Sequence, residues 1–331
     1  MAAVDKLGSL EAILPPAPSQ KVKAQGRHRS VYVALSTVGV ILISFFGLLS
    51  TFWIYNVETV PVKSVPESHY LDRGAYMFGT MFFYLSLPLL FTARNLLRQP
   101  KCNFLWSNIE TTAVQSGILL QYWLSYTLAA NGVIDPMADR LVPGRRIHFV
   151  RYMGWVVAMT GYAYLIICKL NKRSLGEAFP CLAATAGEIL FGFWADIAGS
   201  VPLRQFLYVF VWSCFLLSAF GLVSTLPPSR PTDTTAEKVK VGLVRFTCVH
   251  WSLYGPVYHM GQYGGIDSTT EQFLFCVLDI TYKIAVSACL VAVHSSEWTQ
   301  MRMQAEHAEM TAWRDQEFQA RLQLIRDEFE K

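Results

Sequence analysis

Eight apolar blocks, each near the roughly 20 residues needed to cross a bilayer, alternate with short polar stretches along the chain. They run over 32–54, 73–97, 108–132, 151–172, 177–200, 203–225, 240–264 and 268–294. In hydrocarbon every backbone N–H and C=O has to find its partner inside the protein, and a helix meets that demand within one segment. The pattern predicts an all-α membrane protein with eight transmembrane helices. Only Ser200-Val201-Pro202 separates the fifth block from the sixth, so that turn is tight. Of 331 residues 53% are hydrophobic and 16% charged, against roughly 25% charged in soluble domains.

Several partner classes drop out at once. The net charge of +4 is small, the basic residues gather at block ends, and no basic stripe with interleaved aromatics suggests nucleic acid. Seven cysteines occur without a CxxC pair or a Cys/His cluster, so neither a metal site nor a disulfide framework is expected. Cys168, Cys181, Cys214, Cys248, Cys276 and Cys289 lie in or beside apolar blocks and read as small core residues. Residues 1–30 are polar and contain proline, and the first apolar block is too long for a cleaved secretory signal.

Orientation follows from Lys and Arg in short loops. Lys21, Lys23, Arg27 and Arg29 precede the first block and argue for a cytosolic N-terminus. Eight crossings then place Arg94, Arg98, Lys101, Lys169, Lys172, Arg173, Lys238, Lys240 and the C-terminus on the same side. Arg140, Arg145 and Arg146 fall outside, against the rule. The balance predicts a multi-pass protein of the cell membrane with both termini in the cytosol.

Residues 295–331 change character: the segment is charged, lacks Pro and Gly, and reads as a helix continuing from the last span. Trp298, Met301, Ala305, Ala308 and Ala312 step by three and four residues, the spacing of a heptad seam. Phe318, Leu322, Ile325 and Phe329 resume that stepping after a three-residue slip, as a stammer produces. A dimerising, signal-carrying helix is expected, although an amphipathic helix lying on the membrane accounts for the same stepping. It reaches Lys331 without a stop signal, as in a piece of a longer protein.

The eighth block carries Asp279 and Lys283. Charges at membrane depth are rare and mark functional positions, and i, i+4 spacing puts both on one helix face. A buried structural ion pair fits the same spacing. Trp251, Tyr254 and Tyr258 share a face of the seventh block, Arg151 and Trp155 a face of the fourth, and Trp212 stands among Phe210 and Phe215 in the sixth. Aromatic stripes usually only pack. Beside a buried lysine, however, they suit an amine that forms a Schiff base with a carbonyl ligand.

These residues resemble the microbial (type I) rhodopsins, and they do so in order along the second to eighth blocks. Arg151-Tyr152-x-x-Trp155 resembles the start of that family's third helix, Phe210-Val211-Trp212 its fifth and Trp251-Ser-x-Tyr254 its sixth. Glu271, followed by Asp279-x-x-x-Lys283, resembles its seventh. The resemblance implies all-trans retinal bound as a Schiff base on Lys283, with Asp279 as counterion. It also implies Trp155, Trp212, Trp251, Tyr254 and Tyr258 around the polyene and Arg151 on the extracellular side.

The implied organisation is a cytosolic segment (1–31), an extra transmembrane helix (32–54), a seven-helix retinal-binding domain (73–294) and a cytosolic coiled-coil-like linker helix (295–331). An extra span before the seven, and a helical tail after them, resemble the enzyme-linked rhodopsins of choanoflagellates and fungi. That implies a photoreceptor module regulating a C-terminally attached cyclic-nucleotide phosphodiesterase, with guanylyl cyclase as second choice. The preference rests on the run Trp155-Val-Val-Ala-Met-Thr-Gly, which lacks a Thr-Thr-Pro sequence. Neither a phosphodiesterase metal cluster nor a cyclase Asp pair is visible, so the chain reads as a sensor and not as an enzyme. The implied partners are retinal, the lipid bilayer, a second copy paired through 298–329 and the cytosolic enzyme domain.

Two departures from the family pattern matter. Gly154 stands where the principal counterion carboxylate precedes Trp155, and Leu165 where the cytoplasmic proton donor follows it. Proton pumping is therefore not expected. Asp279 alone would face two cations, Arg151 and the protonated Schiff base, and uncompensated charge in a low-dielectric site favours the neutral form. The expectation is a Schiff base that loses its proton near neutral pH and absorbs in the near ultraviolet. Glu188, or a chloride in the space left by Gly154, would restore the balance. Glu110 and Asp196, close to span ends, are expected at the interface, and His250 as a hydrogen-bonded packing residue. The rival reading is an ion channel or secondary transporter coupling through Lys283 and Asp279. Transporters of that kind often show internal repeats, and none is visible; Gln115, Ser116 and Gln121 make only a thin polar face.

Overall fold

The computed structural model describes residues 68–98, 103–134, 136–226 and 235–329. The expected extra span at 32–54 and the segment before it lie outside these residues. The helices are α1 (Ser68–Arg98), α2 (Asn103–Ala130), α3 (Phe149–Tyr164), α4 (Leu175–Asp196), α5 (Val201–Ser224), α6 (Thr235–Ser252), α7 (Tyr254–Gln262) and α8 (Ser268–Phe329). Between α2 and α3 a short hairpin pairs β1 (Met137–Ala138) with β2 (Arg146–Ile147), antiparallel, with Met137 opposite Ile147. Each block from the second to the eighth is helical. Among the described residues, Phe149–Leu170, Leu175–Asp196, Val201–Ser224 and Ser268–Glu297 are long and apolar enough to cross a membrane.

Local chemistry explains the boundaries. Ser174 and Glu177 cap α4 reciprocally: the Ser174 hydroxyl accepts from the Glu177 N–H, and Glu177 accepts from the Ser174 N–H at 2.8 Å. Pro202 sits in the first turn of α5, where its missing donor costs nothing. The seventh block, expected as one helix, breaks at Leu253 into α6 and α7. Pro256 supplies the reason, because its ring crowds the Ser252 carbonyl and it has no N–H to donate. Helix α3 widens into a π-helical turn over Leu165–Leu170. Gly144 turns the hairpin at φ +79°, and the Asp139 carboxylate accepts from the N–H groups of Leu141 (2.8 Å) and Val142 (3.2 Å).

Helix α3 is the centre of the bundle, with fifteen of its residues buried. Helix α5 is at the edge and is built inside out. Its buried residues are Arg204, Tyr208, Ser218 and Leu222, while Phe206, Val209, Leu216, Leu217 and Phe220 are exposed. Polar groups inward and apolar groups outward is the pattern of a helix whose solvent is lipid. Helix α8 runs unbroken for 62 residues, about 93 Å at 1.5 Å per residue. Phe318, Leu322 and Ile325 of its distal part are exposed. The six cysteines expected as packing residues are free thiols.

Candidate functional site

Lys283 and Asp279 lie at the middle of the apolar part of α8, 1% and 0% exposed. Helical spacing brings them together: Lys283 Nζ is 2.6 Å from Asp279 Oδ1. Neutral donors surround the same carboxylate. Tyr254 Oη donates to Oδ1 at 2.9 Å, Trp155 Nε1 to both oxygens at 3.1 and 3.2 Å, Tyr126 Oη to Oδ2 at 3.3 Å and Tyr122 Oη to Oδ1 at 3.4 Å. The Tyr122 ring lies under the ammonium, 4.0 Å from its centroid, and Phe78 is 5.9 Å away. The result is one amine, one carboxylate and a wall of aromatic rings from α1, α2, α3 and α7.

Gly154 explains how Tyr122 gets there. A Cβ at position 154 would lie 3.1 Å from Tyr122 Cζ, so the phenol ring fills the space that a side chain would need. The space considered for a chloride is thus taken by Tyr122.

Arg151 does not reach Asp279. Its guanidinium bonds Gln272 Oε1, lies 3.5 Å from Glu271 Oε1 and stacks 4.1 Å over the Phe275 ring. It belongs to a second buried cluster at the hairpin end of the bundle. Arg145, from the loop before β2, bonds Glu271 with two nitrogens (2.8 and 2.9 Å), Asp139 (2.8 Å) and Asp196 (2.7 Å). Arg204 of α5 bonds Asp139 at 2.7 Å. Tyr152 and Gln262 also donate to Asp196. Three arginines therefore meet three carboxylates. Burial works against the charge of Arg145, but Asp196 and Glu271 outweigh it and hold the guanidinium well above its ordinary range. His148, buried at the entrance to α3, is pushed well below the usual imidazole range by burial and then by Arg151, Arg146 and Arg145.

Two sequence expectations change here. Asp196, expected at the interface, is fully buried because Arg145 and Gln262 reach it. Arg145 is not a free loop charge but a buried, neutralised one, which weakens the objection it raised to the orientation. The charge count also changes: with Arg151 matched by Glu271, Asp279 faces one cation and not two.

Trp212, Trp251 and Tyr258 line a cleft among α4, α5, α6 and α7, together with Glu188 and His259. The Trp251 ring is 5.8 Å from that of Tyr282, which precedes Lys283 in the chain. Glu188 therefore belongs to the cleft. His250 Nε2 donates to the Leu278 carbonyl at 2.9 Å, and the ring stacks on Tyr282, a packing role. Glu110 bonds Tyr164 (2.5 Å) and Lys169, joining α2 to the π-helical turn. Gln115 bonds Ser287 and is buried.

Tyr122, Tyr126, Gln272, Asp139 and Arg204 were not singled out from the sequence. For Tyr122 and Tyr126 a signal existed, namely i, i+4 tyrosines within an apolar block. For Asp139 and Arg204 there was none, because no regular helix or strand spacing relates Asp139 to Arg145, and Arg204 meets Asp139 across 65 positions of the chain.

A family model for bacteriorhodopsin-like proteins matches residues 34–296. Among solved structures, the thermophilic rhodopsin from Rubrobacter xylanophilus is 23% identical with a TM-score of 0.53, covering 67% of this chain and 96% of that one. The transmembrane domain of Salpingoeca rosetta rhodopsin phosphodiesterase is 14% identical with a TM-score of 0.58, covering 80% and 98%. The light-driven proton pump of Coccomyxa subellipsoidea is 18% identical with a TM-score of 0.53, covering 66% and 95%. At these identities the likeness is one of fold. No curated protein sequence matches the chain.

Proposed function

The chain belongs to the bacteriorhodopsin-like family, and we propose that it holds all-trans retinal covalently on Lys283 and senses light without pumping protons. The carrying observation is a lysine 1% exposed at mid-helix, facing one carboxylate and several aromatic rings. Those residues fit the group: a primary amine in a dry pocket forms the covalent link, and the rings accept an apolar polyene. Retinal held there supplies light absorption and a light-driven change of shape.

The protein's own residues do the rest. Asp279 balances the positive charge at Lys283 Nζ, and Tyr122, Tyr126, Tyr254 and Trp155 fix the carboxylate's orientation through their hydrogen bonds. Glu271 and Gln272 hold Arg151 away from that pair. With one carboxylate for one cation, Asp279 would keep a linkage formed at Lys283 protonated and absorbing in the visible, where the charge count from the sequence alone pointed to the near ultraviolet. Gly154 and the buried Leu165 leave the carboxylate positions of a pump without acids.

Output runs along α8, which carries Lys283 and continues to Phe329 without a break. Where it leaves its apolar stretch, Glu297 accepts from Lys240 of α6 at 2.7 Å and lies 3.7 Å from Lys172. The unit functions as seven retinal-binding helices behind an eighth span at 32–54, with both termini cytosolic. Paired through 298–329, it controls an attached cyclic-nucleotide enzyme, a phosphodiesterase ahead of a guanylyl cyclase. The exposed Phe318, Leu322 and Ile325 support the pairing. The similar solved structure of the Salpingoeca rosetta transmembrane domain and linker region, covering 88% of this chain at 14% identity and a TM-score of 0.56, supports the linker reading.

An absorption spectrum of the purified chain with all-trans retinal, titrated in pH and repeated on Lys283→Ala, tests this. A visible band at neutral pH that vanishes in the variant is expected. A near-ultraviolet band moving to the visible on acidification would mean that Arg151 does act on the linkage. No lysine-dependent band would sink the retinal reading and favour a transporter or channel.

A further inference from the structure

The cleft beyond Trp251 is more polar than an apolar ligand requires. Glu188 Oε2, Tyr208 Oη and His259 Nδ1, all in residues that line it, are buried without a hydrogen-bond partner among the described residues, as is Nε1 of Trp251, whose ring packs against Tyr282. Tyr208 as a whole is 6% exposed. Buried polar atoms normally find partners, and leaving one without is costly. The three come from three different helices, α4, α5 and α7, which converge on one space.

Their hydrogen-bonding character can be assigned. Trp212 Nε1, which can only donate, lies 3.1 Å from His259 Nε2. That nitrogen must accept, so the imidazole is neutral and carries its proton on Nδ1. Gly255 makes this arrangement possible, because a Cβ there would lie 2.6 Å from the Trp212 ring. The cleft thus offers a fixed N–H donor, a carboxyl group and a hydroxyl that both donates and accepts.

One aromatic stripe serves both the Lys283 pair and the cleft. Tyr254 bonds Asp279 at 2.9 Å, its ring meets that of Trp155 at 5.2 Å, and Trp251 and Tyr258 of the same stripe line the cleft. On the reading that Lys283 carries retinal, the cleft receives the ring end of the chromophore. An unsubstituted hydrocarbon ring satisfies none of the three polar atoms. A ring ketone accepts from His259 but brings no hydrogen for Glu188. A ring hydroxyl does both, accepting from His259 Nδ1–H and donating to Glu188 or Tyr208. We propose that this protein selects a retinoid hydroxylated on its ring, with Glu188, Tyr208 and His259 as the specificity-determining residues.

The test is a competition on the full chain. Purified protein receives equal amounts of all-trans retinal and a ring-hydroxylated all-trans retinal, in separate trials with the 3-hydroxy and 4-hydroxy forms. The bound chromophore is then extracted and quantified by chromatography. Preference of about tenfold for one hydroxylated form is expected, the size of one well-made hydrogen bond. Glu188→Leu and Tyr208→Phe should lower that ratio towards one, and Glu188→Gln, which still accepts a hydrogen bond, should retain most of it. Equal uptake by the unaltered protein would overturn the proposal, with water then serving the three atoms, and so would a preference that survives both Glu188→Leu and Tyr208→Phe. If a variant does not fold, the competition on the unaltered protein still decides. A Lys283-dependent band with plain retinal and no preference sinks only this inference, whereas no such band with any retinoid sinks the retinal reading itself.

Discussion

Two buried ionic groups hang on α8, two turns apart, and they are built on opposite plans. At the hairpin end Glu271 joins a network in which Arg145, Arg151 and Arg204 meet Asp139, Asp196 and Glu271, with Arg145, Asp139 and Glu271 each holding more than one charged partner. In the middle of the apolar part of the helix Asp279 has, among the described residues, one ionic partner, Lys283, and otherwise neutral hydroxyl and indole donors. Arginine suits the first plan because its planar fork binds two acceptors at fixed angles and keeps its proton. Lysine suits the second because its amine is a single, reactive point. The network holds four helices and the hairpin in register; the pair sets a single amine among aromatic rings.

The comparison breaks first on stability. Arg145→Ala strips a buried cation from three carboxylates, and losses of about 3–5 kcal/mol are expected for breaking such a buried pairing. Lys283→Ala leaves Asp279 with its neutral donors and should cost less than half as much. Thermal unfolding of both variants in the same detergent decides. Equal losses would mean that Lys283 is as structural as Arg145.

A smaller effect separates the neutral donors. Tyr254→Phe removes the shortest of them and should cost about 1.5–3 kcal/mol, the worth of a hydrogen bond to a charged group. It should also move the absorption maximum of the retinal-loaded protein. Tyr152→Phe, which keeps the ring against Trp155 and removes only a hydroxyl bonded to Asp196, should leave the maximum in place. A shift of similar size from both would erase the division between the two regions.

The smallest expected effect is one of pH at the hairpin end. His148 is held neutral by burial and by the neighbouring arginines, so the unfolded chain binds a proton that the folded one does not. Its contribution to stability is complete above the unfolded value of about 6.5 and is lost as pH falls below that. Melting curves at pH 7.5 and 5.5 should diverge more for the unaltered protein than for His148→Gln. Parallel behaviour would show that His148 already carries a proton in the fold.

Much of the Lys283 site was legible in the sequence, and almost none of the network was. Asp279 and Lys283 are four residues apart, and helix geometry alone puts them in contact. Trp251, Tyr254 and Tyr258 share a face for the same reason, although Pro256 interrupts the helix that carries them. Gly154 was legible as a missing carboxylate, but not as the seat of the Tyr122 ring. The charge count failed at Arg151, since its partner Glu271 lies 120 residues further along the chain.

The sequence by itself determined the membrane class, the positions of seven helical blocks, and which lysine and acid share a helix face. These follow from solvent preference and the 3.6-residue repeat, both of which act over a few turns. Only the tertiary structure decided which acid neutralises which base, where Glu188 points its carboxyl group, and what fills the space beside Gly154. Those outcomes depend on distances between helices and loops, and Coulomb and packing energies respond to separation in space while remaining blind to separation along the chain.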